Sequence, residues 1–500
     1  MAQSKYSVLE LPLFTEKWQE DELDKKFECA RRIYNQMLSH NLKKYNEMIK
    51  TKEWRSLKEI VKEELSSGSK KKSERLKAAY ARTNEILREN GFSEFDFLSQ
   101  AVQFSKYYQK HISSTVASMS IGKPMWAAFE KLLFGNGEKV AFKKFDTLNS
   151  IASDNKSAIR LLQDEDGRYY IFCSNRKAKA RPLTMYIKGP NTVYDREMIS
   201  AKTKVVRIVR KIEKGRKRFY VQLTVEAAPF IKLDAEGNLK HPIGTGEVGI
   251  AIWRGILYAV SDTKILRVNM SPNANEFAEK REELSREIEH LRRVNNPQNF
   301  NEDGTIKKGI IGKDGKRHRL QWRESNHYKK KVAELKELHR KHTVEKDLLR
   351  NKVILELLSM GDVFHFADTS FLTTKPEWNE EEPLPNSEYK KKKARRRAIQ
   401  EFAPAMMLTK LDMKLANRNL EPIYRHTLPD SLYWYRHDKG ISDETLFAGE
   451  SIEVNGTIVN QTMYRAFLIR HFDNEIKGLY DQKALEEEWE KFIAIVKASK

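Results

Sequence analysis

The first part of the chain is patterned as a set of amphipathic helices. Between Leu23 and Leu38, apolar residues recur at spacings of three and four, which is typical of a helix with one buried face. Similar patterns over residues 20–134 predict further helices, the last of them interrupted near Gly122-Lys123-Pro124. Alternating residues at positions 6–13 predict a single strand before these helices.

After residue 137 the pattern changes to short strands separated by turns, which indicates a small β-barrel or sandwich. Because the strand at residues 6–13 would otherwise lack partners, we assign residues 1–13 and 135–240 to this barrel and residues 14–134 to a helical insertion. The predicted strands are residues 158–162, 169–173, 185–188, 205–212 and 218–225.

The third region, residues 241–500, alternates strands with long helices and therefore predicts a mixed α/β domain. Its first two long helices form a helical insertion at about residues 274–360. The fold class is thus multidomain, α+β followed by α/β. We expect strands at residues 248–252, 256–260, 265–269, 362–367 and 421–426, and helices at residues 274–293, 328–359, 402–417, 464–480 and 485–498.

The charge of the chain points to a polyanionic partner. Lys and Arg number 92 against 70 Asp and Glu, a net charge of +22. Dense basic runs such as residues 214–218 and 390–397 strengthen this inference, because such charges repel unless a polyphosphate neutralises them. With only Cys29 and Cys173, the chain has neither a disulfide framework nor a four-cysteine zinc ribbon. Without a signal core or a membrane-length apolar run, we expect a cytoplasmic protein with no membrane partner.

Several separate stretches resemble one known family. Residues 295–309, 325–330, 402–406 and 463–469 are similar to sequence blocks of the TnpB proteins, RNA-guided nucleases of insertion sequences that are related to type V CRISPR effectors. The order of strand, helical insertion, barrel and α/β domain resembles theirs as well. The resemblance implies a wedge-like β-barrel, a helical recognition domain and a RuvC/RNase H-like α/β domain.

The resemblance also places the family's catalytic residues. A RuvC-type site holds two magnesium ions through three carboxylates on separate elements, since magnesium requires oxygen ligands. Here the matching positions hold Ala251, Ala367 and Thr462, so all three carboxylates are replaced. We therefore expect no catalytic metal and no nuclease activity. The pattern is most similar to the TnpB-like nuclease-dead repressors (TldR), which bind guide and target and block transcription.

Nearby acidic residues do not replace the missing ligands. Asp368 directly follows one of the three positions, but neighbouring side chains on a strand point to opposite faces. Glu247, Asp262 and Asp473 are displaced along the chain, and we interpret all four as surface residues or caps. Trp253 replaces a family glycine and either fills a core gap, which we favour, or plugs the vacated metal pocket.

The family's cysteine-based zinc ribbon is also missing. His426 and His437 have no cysteine companions nearby, so we expect satisfied or exposed histidines rather than zinc ligands.

The resemblance implies two partners, a guide RNA and a double-stranded target DNA that carries a short flanking motif. Backbone contacts need Lys and Arg, often beside aromatic residues that stack on unpaired bases. For each candidate in the helical segment, the alternative is that the residue belongs to the polar face of an ordinary amphipathic helix. Lys307 and Lys308 lie on a loop that we expect to be mobile. The candidate residues are Lys106, Tyr107, Ser113, Ser114, Thr115, Lys123, Lys143, Lys144, Arg176, Lys177, Lys179, Arg181, Lys214, Arg216, Lys217, Arg218, Lys307 and Lys308.

Two other functions stay open at this point. An RNA-guided nuclease with a rearranged metal site would nick DNA in magnesium and lose that activity when Asp262 or Asp368 is changed. A guide-independent nucleic-acid-binding factor, accessory to transposition, would bind matched and mismatched duplexes equally. Residues 390–397 either track a strand or are a solvated run.

Overall fold

The computed structural model forms two compact units, which we call the N unit (Ser4–Phe230) and the C unit (Ile231–Lys500). The division lies somewhat before the predicted boundary at residue 241. In the part of the chain that the structure describes, every helix is too short or too polar to cross a lipid bilayer. The described residues are 6–66, 73–134, 137–174, 181–228, 231–234, 236–253, 256–270, 272–311, 317–367, 403–426, 435–436, 440–441, 451–473, 478–479 and 482–498.

The N unit opens with strand β1 (Ser7–Pro12) and the long helix α1 (Lys17–Met48). Helix α1 buries the apolar stripe between Leu23 and Leu38, which confirms the predicted amphipathic helix. A capping box between Glu16 and Gln19 sets its start. The other helices of the unit are α2 (Lys52–Ser66), α3 (Glu74–Glu89), α4 (Glu94–Ser105), α5 (Ser114–Ala117), α6 (Lys123–Leu133) and α7 (Val193–Ser200).

The predicted interruption of the last helix is a single π-helical turn, Ser118–Gly122, between α5 and α6. This turn packs closely on α4, because a Cβ atom at Gly122 would lie 2.9 Å from the carbonyl oxygen of Phe97. The hydroxyl of Ser120 accepts the backbone N–H of Ala152 at 2.7 Å. The π-turn therefore joins the helices to the sheet that follows.

Two antiparallel sheets complete the N unit. The first has the strand order β1-β7-β6-β2 and the second β3-β4-β5, and a bridge between Leu13 and Ile187 connects them. The pairing of β1 with β7 confirms that the first strand finds its partner beyond the helices. Strand β2 and helix α7 were not predicted. The strands are β2 (Ser150–Asp154), β3 (Ile159–Gln163), β4 (Tyr169–Cys173), β5 (Leu183–Tyr186), β6 (Thr203–Glu213) and β7 (Arg216–Val225).

A five-stranded mixed sheet forms the centre of the C unit, in the order β10-β9-β8-β13-β14. Strands β8, β9 and β10 are antiparallel, whereas β13 runs parallel to both β8 and β14. The mixed α/β character agrees with the sequence pattern. The strands are β8 (Glu247–Trp253), β9 (Ile256–Val260), β10 (Ile265–Asn269), β13 (Val363–Ala367) and β14 (Tyr424–His426).

Helices cover both faces of this sheet. Val248, Ile250, Phe364 and Phe366 share one apolar cluster with residues of α9 and α10 on the first face. Helix α11 lies on the other face, so close that a Cβ at Gly249 would meet the carbonyl oxygen of Ala466 at 1.8 Å. The helices are α8 (Ala274–Asn295), α9 (Asn326–Met360), α10 (Pro404–Ala416), α11 (Gln461–Leu468) and α12 (Gln482–Ala498).

The remaining strands of the C unit are short antiparallel pairs, and one of them overturns a prediction. The helix predicted at residues 464–480 ends at Leu468, where a 3₁₀ turn leads into the pairing of Phe472 with Leu479. Packing of Phe472 edge-on against His426, with ring centroids 5.3 Å apart, overrides local helix propensity. The pairs are β11 (Ile310–Ile311) with β12 (Arg317–His318), β15 (Tyr435–Arg436) with β16 (Gly440–Ile441), β17 (Ser451–Val454) with β18 (Thr457–Asn460), and β19 (Phe472–Asp473) with β20 (Gly478–Leu479).

Buried amides link the two ends of the loop between α8 and α9. Asn296 and Asn299 are almost fully buried. Their amide groups donate to the carbonyl oxygens of Arg323 at 3.0 Å and Gln321 at 2.7 Å. Buried amides that bond across the loop hold its two ends together.

Candidate nucleic-acid interface

Ala251 and Ala367 lie at neighbouring strand ends in the C unit. In the parallel pairing of β8 with β13, Phe366 is opposite Ile250. Continuing this register by one residue places Ala367 beside Ala251. These are two of the three positions that the resemblance assigns to metal-binding carboxylates.

The third position, Thr462, lies at the same end of the sheet. Gly249 packs against Ala466, and the positive charge of Arg470 acts on Glu247 at the start of β8. Helix α11 therefore runs antiparallel to β8, and its first residues lie toward Ala251. The three family positions thus converge, although they are far apart in the chain.

Ala251 and Thr462 are both part of the packing of the unit. Ala251 is 3% exposed and belongs to an apolar cluster with Tyr258 and Met463. Thr462 is 7% exposed, and its backbone N–H donates to the side chain of Asn460 at 2.9 Å as part of the helix cap. Among the described residues, no three His, Cys, Asp or Glu side chains are grouped so that they could hold a metal ion.

A buried histidine pair lies on the same face of the sheet. The Nδ1 of His365 is 2.9 Å from the Nε2 of His426, and the two rings are nearly parallel. Burial, together with the neighbouring His426, Arg470 and His471, lowers the pKa of His365 to about 4. His426 is thus a satisfied core residue, as expected, and His365 is neutral at physiological pH.

The acidic residues near this face are occupied by other contacts. Asp262, interpreted from the sequence as a surface residue or cap, pairs with the guanidinium of buried Arg470, and Glu488 lies 3.2 Å from the same group. Asp262 itself is 55% exposed, so its interpretation as a surface residue is confirmed. It also compensates the charge of Arg470, because a buried arginine needs such partners. Burial raises the pKa of Glu247, which is half-exposed at the start of β8.

Some predicted features fall outside what the structure describes. Asp368, His437 and residues 390–397 lie outside the described residues, and so do the side chains of Trp253, Ala367 and Asp473.

In the N unit, the structure brings two predicted basic segments together around a buried arginine. Arg210 is 2% exposed and pairs with Asp24 and, at 2.6 Å, with the carboxylate of Asp146. Lys217 pairs with the same Asp24, so it is engaged within the protein and is a weaker candidate for phosphate contact than predicted. The Nζ of Lys143 is 5.1 Å from the ring centre of Tyr34. The exposed candidates of these segments are Lys144, Lys214, Arg216, Lys217 and Arg218, of which Lys217 is ion-paired with Asp24.

The helical candidates divide into exposed and structural residues. Lys106 and Tyr107 form an exposed 3₁₀ turn after α4, and Tyr107 is 89% exposed. Lys123 is exposed at the start of α6. Ser113 instead caps α5, because its hydroxyl accepts the N–H of Val116 at 3.3 Å. This structural role explains a serine at this position without any contact to nucleic acid. Its hydroxyl is 3.2 Å from that of Thr115, and the carbonyl of Ser114 accepts from Ser118.

The last candidates also differ in availability. Arg176, Lys177 and Lys179 lie outside the described residues. Arg181 is exposed, with its guanidinium 4.0 Å from the ring centre of Trp18. In the C unit, Lys307 donates to the carbonyl oxygen of Gln298 at 2.9 Å, and Lys308 is exposed.

Sequence reasoning missed an aromatic surface on the sheet β3-β4-β5. Tyr170 and Phe172 alternate with the buried residues Ile171 and Cys173, and this alternation was a visible signal that two aromatic rings face away from the core. We call the face that carries them the outer face of the sheet.

Residues 13–50 match a family model, HTH_OrfB_IS605, described as a helix-turn-helix domain. In the structure most of this segment is the single helix α1. No curated protein matches the chain. The match supports the resemblance to the TnpB (OrfB) family and points to a nucleic-acid-binding, transposon-associated protein.

Proposed function

We propose that this protein is an RNA-guided DNA-binding protein that represses transcription by occupying its target without cutting it, like the nuclease-dead TnpB-like repressors it resembles. The observation that carries the proposal is the convergence of Ala251, Ala367 and Thr462 at one end of the C-unit sheet. Methyl groups and one buried hydroxyl cannot replace the carboxylates that two magnesium ions require.

Three observations support the nucleic-acid part of the proposal. The family match covers residues 13–50, and the net charge is +22. Exposed basic residues project from the β6–β7 hairpin and from the turn after α4, for example Arg218 and Lys106. Such side chains are suited to neutralise backbone phosphates, whereas base pairing with a guide would supply sequence specificity.

The alternative of a rearranged metal site has less support. Asp262 and Glu488 are the acidic partners of buried Arg470. Recruiting either of them to a metal would leave a guanidinium poorly compensated in the protein interior, which is costly.

The test is a binding experiment on the protein purified with its co-purifying RNA. Sequencing that RNA defines the guide, and labelled duplexes that match or mismatch it are then titrated in a gel-shift assay. The proposal predicts binding of the matched duplex at least about a hundredfold tighter than the mismatched one. Equal binding of both duplexes would overturn it in favour of a guide-independent accessory factor.

A further inference from the structure

The outer face of the sheet β3-β4-β5 presents aromatic residues in register. Phe172 lies between Arg160 and Thr184 in one cross-strand row, and Tyr170 lies between Leu162 and Tyr186 in the next. The rings of Tyr170 and Tyr186 are 5.7 Å apart. Two rows of side chains on one face thus hold three aromatic rings.

The core does not require these aromatic residues. The opposite face of the same strands is buried and apolar, and it packs in the core of the N unit. Strand propensity alone is met by threonine as well as by aromatic residues. The buried residues are Ile159, Ile171, Cys173, Leu183, Met185 and Ile187. On the outer face, Tyr186 is 36% exposed, and Phe14, whose backbone N–H donates to the Tyr186 carbonyl at 2.8 Å, is 57% exposed.

Cations lie beside the rings. The ammonium of Lys188 is 4.4 Å from the ring centre of Phe14, and the guanidinium of Arg160 is 5.1 Å from that of Phe172. Within the described residues, neither cation has a carboxylate partner. Arg168, which lies over Tyr186, is by contrast neutralised by Asp164 and Asp166.

We propose that the outer face binds single-stranded nucleic acid by stacking unpaired bases on Tyr170, Phe172 and Tyr186, with Lys188 and Arg160 neutralising phosphates. This inference rests on the proposed nucleic-acid-binding function and assigns one surface to it. Every base offers a flat face to an aromatic ring, so the contact tolerates many sequences. Bases in a duplex are already stacked on each other and are unavailable to the rings.

The test compares wild type with the double variant Phe172→Thr/Tyr186→Thr, in which threonine keeps strand propensity. The protein is titrated with fluorescent single strands of about 12 nucleotides. The probes are RNA, DNA of the same sequence and an abasic DNA strand with phosphates but no bases. We expect affinity for the base-bearing strands to fall about tenfold for each aromatic residue removed, and affinity for the abasic strand to stay unchanged. The RNA and DNA arms show which single strand the face prefers.

Two controls identify the cause of a loss. Tyr186→Phe keeps the ring and should recover the affinity that Tyr186→Thr loses, whereas Phe95→Ala removes an aromatic residue that is 78% exposed on α4 and should have no effect. Unchanged binding by the double variant, or an equal loss on abasic and base-bearing strands, would overturn the stacking role. If wild type binds no nucleic acid at all, the proposed function itself fails, which is a distinguishable result.

Discussion

The outer face of the N-unit sheet and the end of the C-unit sheet that holds Ala251 contrast in how they are covered. On β8, the small residues Gly249 and Ala251 let α11 lie directly on the strand, and both are buried. On β4 and β5, large aromatic residues such as Tyr186 stay partly exposed, with cations beside them. Small residues therefore let a helix lie directly on one sheet, whereas large aromatic residues leave the other sheet partly open to solvent.

The largest expected effect comes from disturbing the covered face. Gly249→Val would push a side chain into the carbonyl oxygen of Ala466, 1.8 Å from a Cβ atom at this position. We expect the free energy of unfolding to fall by about 3 kcal/mol or more, measured by urea denaturation. Gly456→Ala is the control, since nothing lies within 4 Å of its Cβ and only its positive φ opposes the change. It should cost about 1 kcal/mol. Equal losses in the two variants would contradict the close packing of α11.

Introducing a single carboxylate should reduce stability by different amounts at two of the family positions. Ala251→Asp places a charge in an apolar cluster and should destabilise by about 2–3 kcal/mol. Thr462→Asp also enters a buried position, but it lies in the first turn of α11, where the helix dipole favours an anion, so we expect a loss smaller by about 1 kcal/mol than that of Ala251→Asp. Thermal denaturation of both variants tests this order. A larger loss for Thr462→Asp would contradict the geometry.

The histidine pair predicts a pH dependence of stability. The pKa of His365 is lowered from 6.5 to about 4 in the folded protein. Between these values the unfolded chain binds a proton that the folded protein does not. The free energy of unfolding should therefore decrease by about 2 kcal/mol as the pH falls from about 6.5 to 4.

The measurement is urea denaturation of wild type and His365→Asn across this range. Asparagine keeps a hydrogen-bonding group beside His426 but does not titrate. Burial raises the pKa values of Glu247 and Glu488, so these two residues make the free energy of unfolding increase as the pH falls. Both residues are present in wild type and in the variant. Identical pH profiles would exclude His365 as the cause.

The smallest expected effect concerns phosphate contacts in the N unit. Arg216→Ser/Arg218→Ser should weaken binding of all sequences about equally. Each lost phosphate contact should reduce the slope of log affinity against log salt by about 0.9. Arg75→Ser, which removes an exposed arginine that is already paired with Glu63, is the matched control. A change in sequence preference rather than in salt slope would show that the hairpin reads bases.

Local patterns predicted most of the elements but not their contacts. Strands β4 and β10 have the predicted bounds, because apolar and aromatic residues at these positions favour strands. Strand β2, Ser-Ile-Ala-Ser-Asp, has little strand propensity and forms through its pairing with β6. The helix expected to continue beyond Leu468 ends there because Phe472 packs on His426.

The candidate site was visible in the sequence only in part. The resemblance identified Ala251, Ala367 and Thr462, but their convergence depends on strand register and on the direction of α11. The sequence shows Lys217 as part of a basic run, but it does not show that Lys217 pairs with Asp24, which is distant in the chain. The sequence shows that Tyr170 and Phe172 alternate with apolar residues along the strand. Only the packed structure shows which face of the sheet is exposed.

The most direct test of the account is a reaction of the guide-loaded protein with a supercoiled plasmid that carries the matched target, in magnesium buffer. Binding is followed by gel shift and strand integrity by agarose electrophoresis of the deproteinised DNA. The account predicts that the plasmid is bound and stays supercoiled. A nicked or linear product that requires the guide and magnesium would contradict it.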